Sequence, residues 1–380
     1  MRARETDEAY RVSTPLELFV DLCFVVAIAQ ASARLHHALV AGHLAQALVG
    51  YPMVFFAIWW AWMNFTWFAS AYDTDDVPYR VAVLVQIVGV LILAAGVPRA
   101  FDHGDFGVIV LGYVVMRVAL VGQWLRAARA DRGRSVTAVR YASGIAVCML
   151  GWVMLLALPA TWRLAGWLVM VPAELLVPVW AERAAPTTWH PHHIAERYGL
   201  LTLIVLGESV LSATVAIQSA LDAGHAVGHL LAIAAGALLI VFAMWWLYFA
   251  QPTEALVEHH RSAFGLLPRS SFVWGYGHYV VFGAAGAVGA GLATAVDQAT
   301  GHAALSARGA TAAVAVPVAL YLLGVWVLDA RPERAGWPRQ PNLPAAAVLV
   351  LAAAALGLPV LAIGALLILC VTMSLAAARA

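Results

Sequence analysis

The sequence predicts an all-α integral membrane protein with about twelve transmembrane helices. Hydrophobic residues make up 63% of the 380 positions, and charged residues make up only 11%. An ordinary soluble domain carries roughly 25% charged residues, so a chain this poor in charge could not cover a water-exposed surface. The composition therefore excludes a soluble enzyme, and a net charge of +1 gives no general attraction to nucleic acid.

Eleven apolar stretches carry this prediction. A membrane-spanning helix needs about 20 apolar residues. Ten stretches meet that length, at about 16–38, 44–70, 79–100, 106–128, 137–159, 162–182, 194–220, 226–251, 271–296 and 310–329. The last stretch, about 343–378, is too long for one crossing at roughly 1.5 Å per residue. The Gly357-Leu358-Pro359 break predicts that it forms two short spans, which brings the total to twelve.

Arginine placement predicts the orientation of these spans. With the N-terminus inside and the spans alternating, sixteen arginines fall on the inner side and only Arg34, Arg99, Arg163 and Arg308 on the outer side. Basic residues concentrate on the cytoplasmic side of membrane proteins, so both termini are predicted to be cytoplasmic. Residues 1–14 are charged and lack the apolar core of a signal peptide, which predicts a cytoplasmic tail.

A recurring aromatic motif predicts an internal duplication. FAIWWAW at 56–62 resembles FAMWWLY at 242–248, and Glu17 and Glu196 each stand shortly before an aromatic residue at the start of their spans. We therefore predict a first six-helix half at 15–183, a linker at 184–191 and a second half at 192–380. Six spans per half is an even number, so the halves would be parallel repeats about an axis along the membrane normal. The alternative is that tryptophan pairs recur by chance.

Ionisable residues at the start of spans 1 and 7 are the first candidate site. Ionisable groups inside a bilayer are expensive and usually face a bundle interior or a wet cavity. Glu17 and Asp21 share one helix face because they are four residues apart, and Glu196 and Arg197 open span 7 at the same depth. With Arg80, they are predicted to form a cytoplasmic gate. The alternative is that the acids at the interface simply favour a helix N-terminus.

Four deeper residues form the second candidate site, a proton or ion site. Glu208 lies roughly 18 Å beyond the start of span 7, near the bilayer midplane. Arg117 lies mid-span in span 4 and needs a carboxylate partner, for which Glu174 and Glu208 are candidates by depth. His278 stands two turns into span 9. The alternatives are a structural hydrogen bond for Glu208 and ordinary packing for His278.

An acidic cluster follows span 2. Asp73, Asp75 and Asp76 precede Arg80, which opens span 3. The acids could pair with this arginine and cap the helix, or bind a cation or proton at a vestibule. The Asp-x-Asp-Asp spacing also matches the proton-donating motif of class II terpene cyclases.

Several of these motifs together resemble the bacterial low temperature requirement A (LtrA) family. They are PLELFVDLCFVVA at 15–27, FAIWWAW at 56–62, DTDD at 73–76 with Arg80, HIAERYG at 193–199 with GES at 207–209, WWLYF at 245–249 and YGH at 276–278. Val20 and Cys23 depart from the family pattern at positions that affect packing. The resemblance covers about residues 12–330 and implies a multi-pass protein of the bacterial cytoplasmic membrane. The family name implies a link to growth in the cold and assigns no activity.

Three functions remain open from the sequence. The first is a proton- or cation-linked transporter or permease of an unknown small molecule or ion, with Glu208 as the carrier. The second is an intramembrane acid–base enzyme acting on a lipid or isoprenoid; its catalytic acids would come from Glu17, Asp21, Asp73, Asp75, Asp76 and Glu208. The third is a sensor or assembly factor for membrane state.

The expected partners are the lipid bilayer and the transported or converted molecule, and a homo-oligomer stays open. No cofactor is predicted. His190, His192 and His193 suggest a metal, but no carboxylate at a matching spacing supports one, so no metal is predicted either.

Overall fold

The computed structural model describes residues 11–72, 74–224, 227–250, 269–329 and 342–379. Within these ranges the chain forms twelve α-helices and no strand. They are α1 (Pro15–Val40), α2 (Leu44–Tyr72), α3 (Val77–His103), α4 (Gly107–Ala130), α5 (Ser135–Leu156), α6 (Ala160–Glu182), α7 (Pro191–Asp222), α8 (Val227–Phe249), α9 (Arg269–Ala299), α10 (Ala307–Asp329), α11 (Asn342–Ala355) and α12 (Val360–Arg379).

The helix lengths confirm an integral membrane α-protein. Of the helices within the described ranges, ten are long and apolar enough to cross a membrane, and each overlaps one predicted span. The predicted break near the C-terminus is also present, because α11 ends before Gly357 and α12 begins after Pro359. Gly357 has a φ of 72°, a left-handed conformation that glycine adopts without strain and that ends the helix. Both C-terminal helices are shorter than the other ten.

The outward faces of the helices carry apolar side chains. Leu48, Val118 and Val169 are each at least 67% exposed. A soluble monomer rarely exposes large apolar patches, whereas a bilayer requires such a surface. Many buried side chains, in contrast, are polar or charged.

The described residues divide into two compact units. Unit 1 contains residues 11–30 and 56–197, and unit 2 contains residues 31–55 and 198–379, apart from the undescribed stretches. This division cuts through α1, α2 and α7, so it does not follow the predicted halves at 15–183 and 192–380. The linker at 184–191 lies within unit 1, where Thr137 donates to the carbonyl oxygen of Ala185.

In unit 1 the helices pack in chain order: α3 against α4, α4 against α5, and α5 against α6. Small residues allow the closest approach. A Cβ atom on Gly112 would lie 2.6 Å from the carbonyl oxygen of Gly89, so α3 and α4 can be this close only without side chains there.

Unit 2 shows the same order of pairing: α9 packs against α10, α10 against α11, and α11 against α12. A Cβ atom on Gly291 would overlap the carbonyl oxygen of Ala313, which holds α9 and α10 in close contact. The unit also packs α8 against α12, where a Cβ atom on Gly236 would lie 2.7 Å from the backbone nitrogen of Leu361.

Candidate functional site

Four ionisable side chains meet in unit 1, where the start of α1 packs against the start of α7. They are Glu17 and Asp21 from α1, and His193 and Arg197 from α7; each is at most 1% exposed. The two residues of each pair are four apart, which puts them one turn from each other on one helix face. We call these four residues the α1–α7 cluster.

Asp21 is the deeper acid of the cluster. Its Oδ1 accepts hydrogen bonds from Arg197 Nη2 at 2.5 Å and from Trp62 Nε1 at 2.7 Å. Its Oδ2 is buried and has no hydrogen-bond partner in the described structure, and neither have Nε and Nη1 of Arg197. Both strong contacts of Asp21 therefore fall on one carboxylate oxygen, and buried polar atoms remain beside it.

Glu17 lies one turn earlier and is held from several sides. Its Oε1 is 3.0 Å from His193 Nε2 and 3.4 Å from Arg11 Nη2. Its Oε2 accepts hydrogen bonds from the backbone nitrogen and the hydroxyl of Thr14, at 2.7 and 3.0 Å. These bonds satisfy a donor at the start of α1, so the predicted helix-start role of this acid is present together with its ion pairs.

Arg11 extends the cluster into the segment that the sequence assigns to the tail. This arginine is buried, and its Nη1 donates to the carbonyl oxygens of Ala69 and Ser70 at the end of α2, both at 3.2 Å. The linker is bound to the same helix end, because the backbone nitrogen of His190 donates to Ser70 Oγ at 2.9 Å. The start of α1, the end of α2 and the start of α7 are thus connected by polar contacts within unit 1.

Two residues assigned to the gate lie apart from the α1–α7 cluster in their contacts. Glu196 is half-buried, and its carboxylate accepts from the backbone nitrogen of Ser13 at 3.2 Å. Arg80 is exposed and pairs with Asp75 at 2.6 Å. The five predicted gate residues therefore do not form one group. Glu17, Asp21 and Arg197 are buried in the cluster, Glu196 binds the backbone before α1, and Arg80 lies at the surface.

The acidic segment before α3 serves the helix start. Asp76 is the N-cap of α3, where it accepts from the backbone nitrogen of Tyr79 and pairs with Arg126 at 2.7 Å. Its slight burial opposes ionisation, but these bonds outweigh that effect and lower the pKa of Asp76. The hydrogen bond from Arg80 likewise lowers the pKa of Asp75. The capping and pairing alternative is confirmed for these two acids, while Asp73 lies outside the described residues.

A second buried charge pair connects four helices of unit 1. Arg117 Nη2 of α4 lies 3.5 Å from Glu174 Oε2 of α6, and both side chains are at most 3% exposed. Glu174 also accepts from Trp60 Nε1 of α2 at 2.8 Å and from Trp152 Nε1 of α5 at 3.1 Å. Of the two candidate partners for Arg117, Glu174 and Glu208, the structure shows the pair with Glu174.

The remaining two predicted residues belong to unit 2. Glu208 is half-buried, and Ser212 of the same helix donates to its Oε1 at 3.0 Å. His278 is buried; its Nδ1 lies 2.8 Å from the carbonyl oxygen of Trp274 and its Nε2 lies 3.0 Å from the Tyr248 hydroxyl. The ring of Tyr198 packs edge-on against the same histidine. His278 therefore occupies the packed, hydrogen-bonded environment that the sequence allows as an alternative.

Charge balance defines what the α1–α7 cluster can do. With His193 neutral, the negative charges of Glu17 and Asp21 offset the positive charges of Arg11 and Arg197. One added proton would leave a net positive charge where it cannot be solvated, so its uptake must change the contacts or the access of water. In the described part of the chain, no group of three His, Cys, Asp or Glu side chains is arranged to hold a metal ion.

The sequence pointed to His193 only weakly, to Trp60 and Trp62 only as members of an aromatic motif, and to Arg11 and Trp152 not at all. The spacing of His193 and Arg197, four apart like the two acids of α1, was the available signal for the histidine. The indole donors come from distant parts of the chain, so no local pattern marks them.

The helices and buried charges define this chain as a multi-pass α-helical membrane protein. The family model for the bacterial low temperature requirement A protein matches residues 12–378, and the chain belongs to that family. It is also similar to an uncharacterized protein of Rhizobium meliloti (strain 1021). The two are 25% identical over 292 residues, which cover 74% of this chain and 69% of the relative.

Proposed function

We propose that this protein is a proton-linked transporter of a small polar solute or ion, and that the α1–α7 cluster is its protonation site. The carrying observation is that Glu17, Asp21, His193 and Arg197 are all buried and form two close pairs, Glu17 with His193 and Asp21 with Arg197, at one end of membrane-length helices. Groups of this kind are costly inside a membrane and mark ion or proton pathways in other membrane proteins.

The unpaired buried atoms of the cluster support this role. Asp21 Oδ2, Arg197 Nε, Arg197 Nη1 and His193 Nδ1 have no hydrogen-bond partner in the described structure. A buried donor or acceptor without a partner costs about 1–3 kcal/mol. Water or a polar solute in the site would satisfy these atoms.

The repeated order of helix pairing supports transport by two related bundles. Units 1 and 2 each pack four consecutive helices in chain order, as a duplicated six-helix half would do. In transporters built from parallel repeats, access alternates as one bundle moves against the other. We extend the proposal to a parallel duplication, to cytoplasmic termini and to the cytoplasmic membrane of a bacterium.

We assign the role of proton carrier to the α1–α7 cluster and not to Glu208. Glu208 is half-exposed and bound within its own helix, whereas Asp21 and Glu17 share a charge-balanced environment that one proton would unbalance. The pair of Arg117 and Glu174 is assigned to holding α4 and α6 together. The enzyme alternative has less support, because Asp75 and Asp76 are engaged in an ion pair and a helix cap.

Trp62 offers a test that needs no known substrate. Its indole donates to Asp21, so protonation of the cluster should change its environment. Fluorine NMR of fluorotryptophan-labelled protein, with Trp62→Phe to assign the signal, should show a pH-dependent shift of the Trp62 signal that disappears in Asp21→Asn. A Trp62 signal independent of pH would contradict a protonation site here.

Transport is tested in proteoliposomes on a solid-supported membrane. A panel of alkali cations, amino acids and organic acids is applied with and without a pH step. At least one solute class should give a current that depends on the pH gradient and is lost in Asp21→Asn. Glu182→Gln is the matched control, because Glu182 is a carboxylate of unit 1 bound to Tyr141 and Thr187 outside the cluster. Solute currents of equal size with and without the pH step, unchanged in Asp21→Asn, would contradict the proposal.

A further inference from the structure

Unit 2 contains an apolar groove that the proposed transport function does not use. Its volume is about 500 Å³, and it lies among the end of α1, the first half of α2, α9 and α10. Small residues make room for it: Ala284 and Ala287 line it from α9, and Gly309, Ala312 and Ala313 line it from α10. Its size is within the range of small-molecule sites, which is roughly 300–1,000 Å³.

The groove offers its occupant hydrocarbon contacts. Two hydroxyls are present in its lining, and both are already donated to backbone carbonyls of unit 2. Tyr51 donates to the oxygen of Gly283 at 2.8 Å, and Tyr279 donates to the oxygen of Pro52 at 2.9 Å. The other lining residues are aliphatic, glycine, proline or phenylalanine, so the occupant must be apolar along this length.

The length of the groove matches one leaflet of a bilayer. On α2 its lining runs from Leu44, the first residue of the helix, to Phe55; on α10 it runs from Gly309 to Leu320. Each stretch advances eleven residues, or about 16 Å of helix. Half of the roughly 30 Å hydrocarbon core is about 15 Å. The groove thus extends from the helix ends, where headgroups lie, to the middle of the membrane.

The groove is accessible from the side on which lipid lies. Leu48 on α2 is 73% exposed, and Val316 and Leu320 on α10 are 45% and 47% exposed. At the end of α1, in contrast, the backbone nitrogen of Ala304 donates to the oxygen of Val40 at 2.8 Å and ties the α1–α2 corner to the loop before α10. A hydrocarbon chain can therefore enter laterally without crossing water.

We propose that this groove binds one acyl chain of a bilayer phospholipid. The lipid comes from the leaflet at the C-terminal end of α1, which the arginine distribution predicts to be the outer one. The headgroup stays at the level of the first residues of α2 and α10, and the end of the chain reaches Phe55, Tyr279 and Leu320 near the midplane.

The test uses phospholipids with a photoreactive diazirine at either a shallow or a deep acyl carbon. The full-length protein is placed in nanodiscs with each lipid, irradiated and analysed by peptide mass spectrometry. The shallow probe should label α2 near Leu44 and Leu48, and the deep probe should label α2 near Tyr51 and Phe55. Labelling in the groove should exceed labelling of the exposed face of α8 at the same depth, at Leu231 for the shallow probe and at Leu238 for the deep probe.

A groove-filling variant provides the second measurement. Ala287→Leu combined with Ala312→Leu places side chains in the groove and should abolish its label. Ala235→Leu, on the exposed face of α8, is the matched control and should leave the label unchanged. The excess of groove label over the α8 face in the unmodified protein tests the proposal even if the double variant does not fold.

Three labelling results would overturn the proposal, and so would one competition result. The labelling results are a groove label no stronger than that of the α8 face, a label that does not move with the position of the diazirine, and a groove label that persists in a folded double variant. A fatty acid carrying the same diazirine tests whether the occupant is a free fatty acid and not a phospholipid. If it displaces the phospholipid label from the groove at equal concentration in the nanodisc, the phospholipid is not the occupant.

Discussion

Replacement of Glu174 by glutamine is predicted to be among the most destabilising conservative substitutions in unit 1. At 3.5 Å, the attraction between Arg117 and Glu174 is about 5 kcal/mol at an effective dielectric constant of about 20. Glu174→Gln keeps an oxygen that can accept from one indole but leaves the arginine charge buried without a counter-ion. Breaking a buried pair in this way costs about 3–5 kcal/mol.

The reverse substitution should cost less. In Arg117→Met, the carboxyl group of Glu174 can take up a proton and become neutral, whereas an arginine cannot lose its charge in a protein. The double variant, Arg117→Met with Glu174→Gln, has no buried charge at these two positions and should recover most of the loss, since apolar replacement of a buried pair is often nearly neutral.

The free energy of unfolding is measured by steric trapping in bicelles for the two single variants and the double variant. Glu174→Gln should lower the free energy of unfolding most, and Arg117→Met should lower it less. The double variant should be less destabilised than the sum of the two single variants. A cost below about 1 kcal/mol for Glu174→Gln would refute the reasoning. So would additive effects, because they would mean that the two residues do not interact.

Three further predictions concern packing, capping and the cluster. Gly291→Ala should lower the thermal stability of the purified protein strongly, because the added Cβ atom overlaps a backbone carbonyl of α10; Gly228→Ala, where a Cβ atom meets nothing within 4 Å, should not. Asp76→Ala should cost about 1 kcal/mol in unfolding free energy. Since the pKa of Asp76 is lowered in the folded protein, its contribution to stability is present above about pH 4 and is lost at lower pH. If the stability of the variant fell as steeply below about pH 4 as that of the parent protein, this assignment would be contradicted. Trp62→Phe should cost about 1.5–3 kcal/mol, the value of a hydrogen bond to a charged group, and unchanged stability would mean that the bond to Asp21 is dispensable.

The sequence predicted the helices well because their signals are local. Apolar length and turn residues mark each span, and the Gly357–Pro359 break divides the last stretch where the structure divides it. For the same reason, the depth of Arg117 within its span indicated a buried charge in need of a carboxylate partner, and Glu174 was one of two candidates by depth.

The side-chain partners were less predictable because they depend on packing between distant segments. Trp60 and Trp62 are two residues apart on α2, yet one donates to Glu174 and the other to Asp21. A tryptophan-rich motif contains no signal that distinguishes these roles. Arg11 was part of the predicted cytoplasmic tail at 1–14, and the structure shows that it is bound by carbonyls at the end of α2 and by the carboxylate of Glu17.

The division of α1, α2 and α7 between the two units has a consequence for how the protein can be made. A chain cut in the linker at 184–191 would yield one fragment without the first turns of α7 and another without residues 31–55. The first would lack His193 and Arg197, and the second would lack the α1 and α2 walls of the groove. During synthesis, unit 1 cannot be completed until the chain has been made through Arg197, in the first turns of α7. The two fragments should therefore be degraded when expressed separately and accumulate only when expressed together.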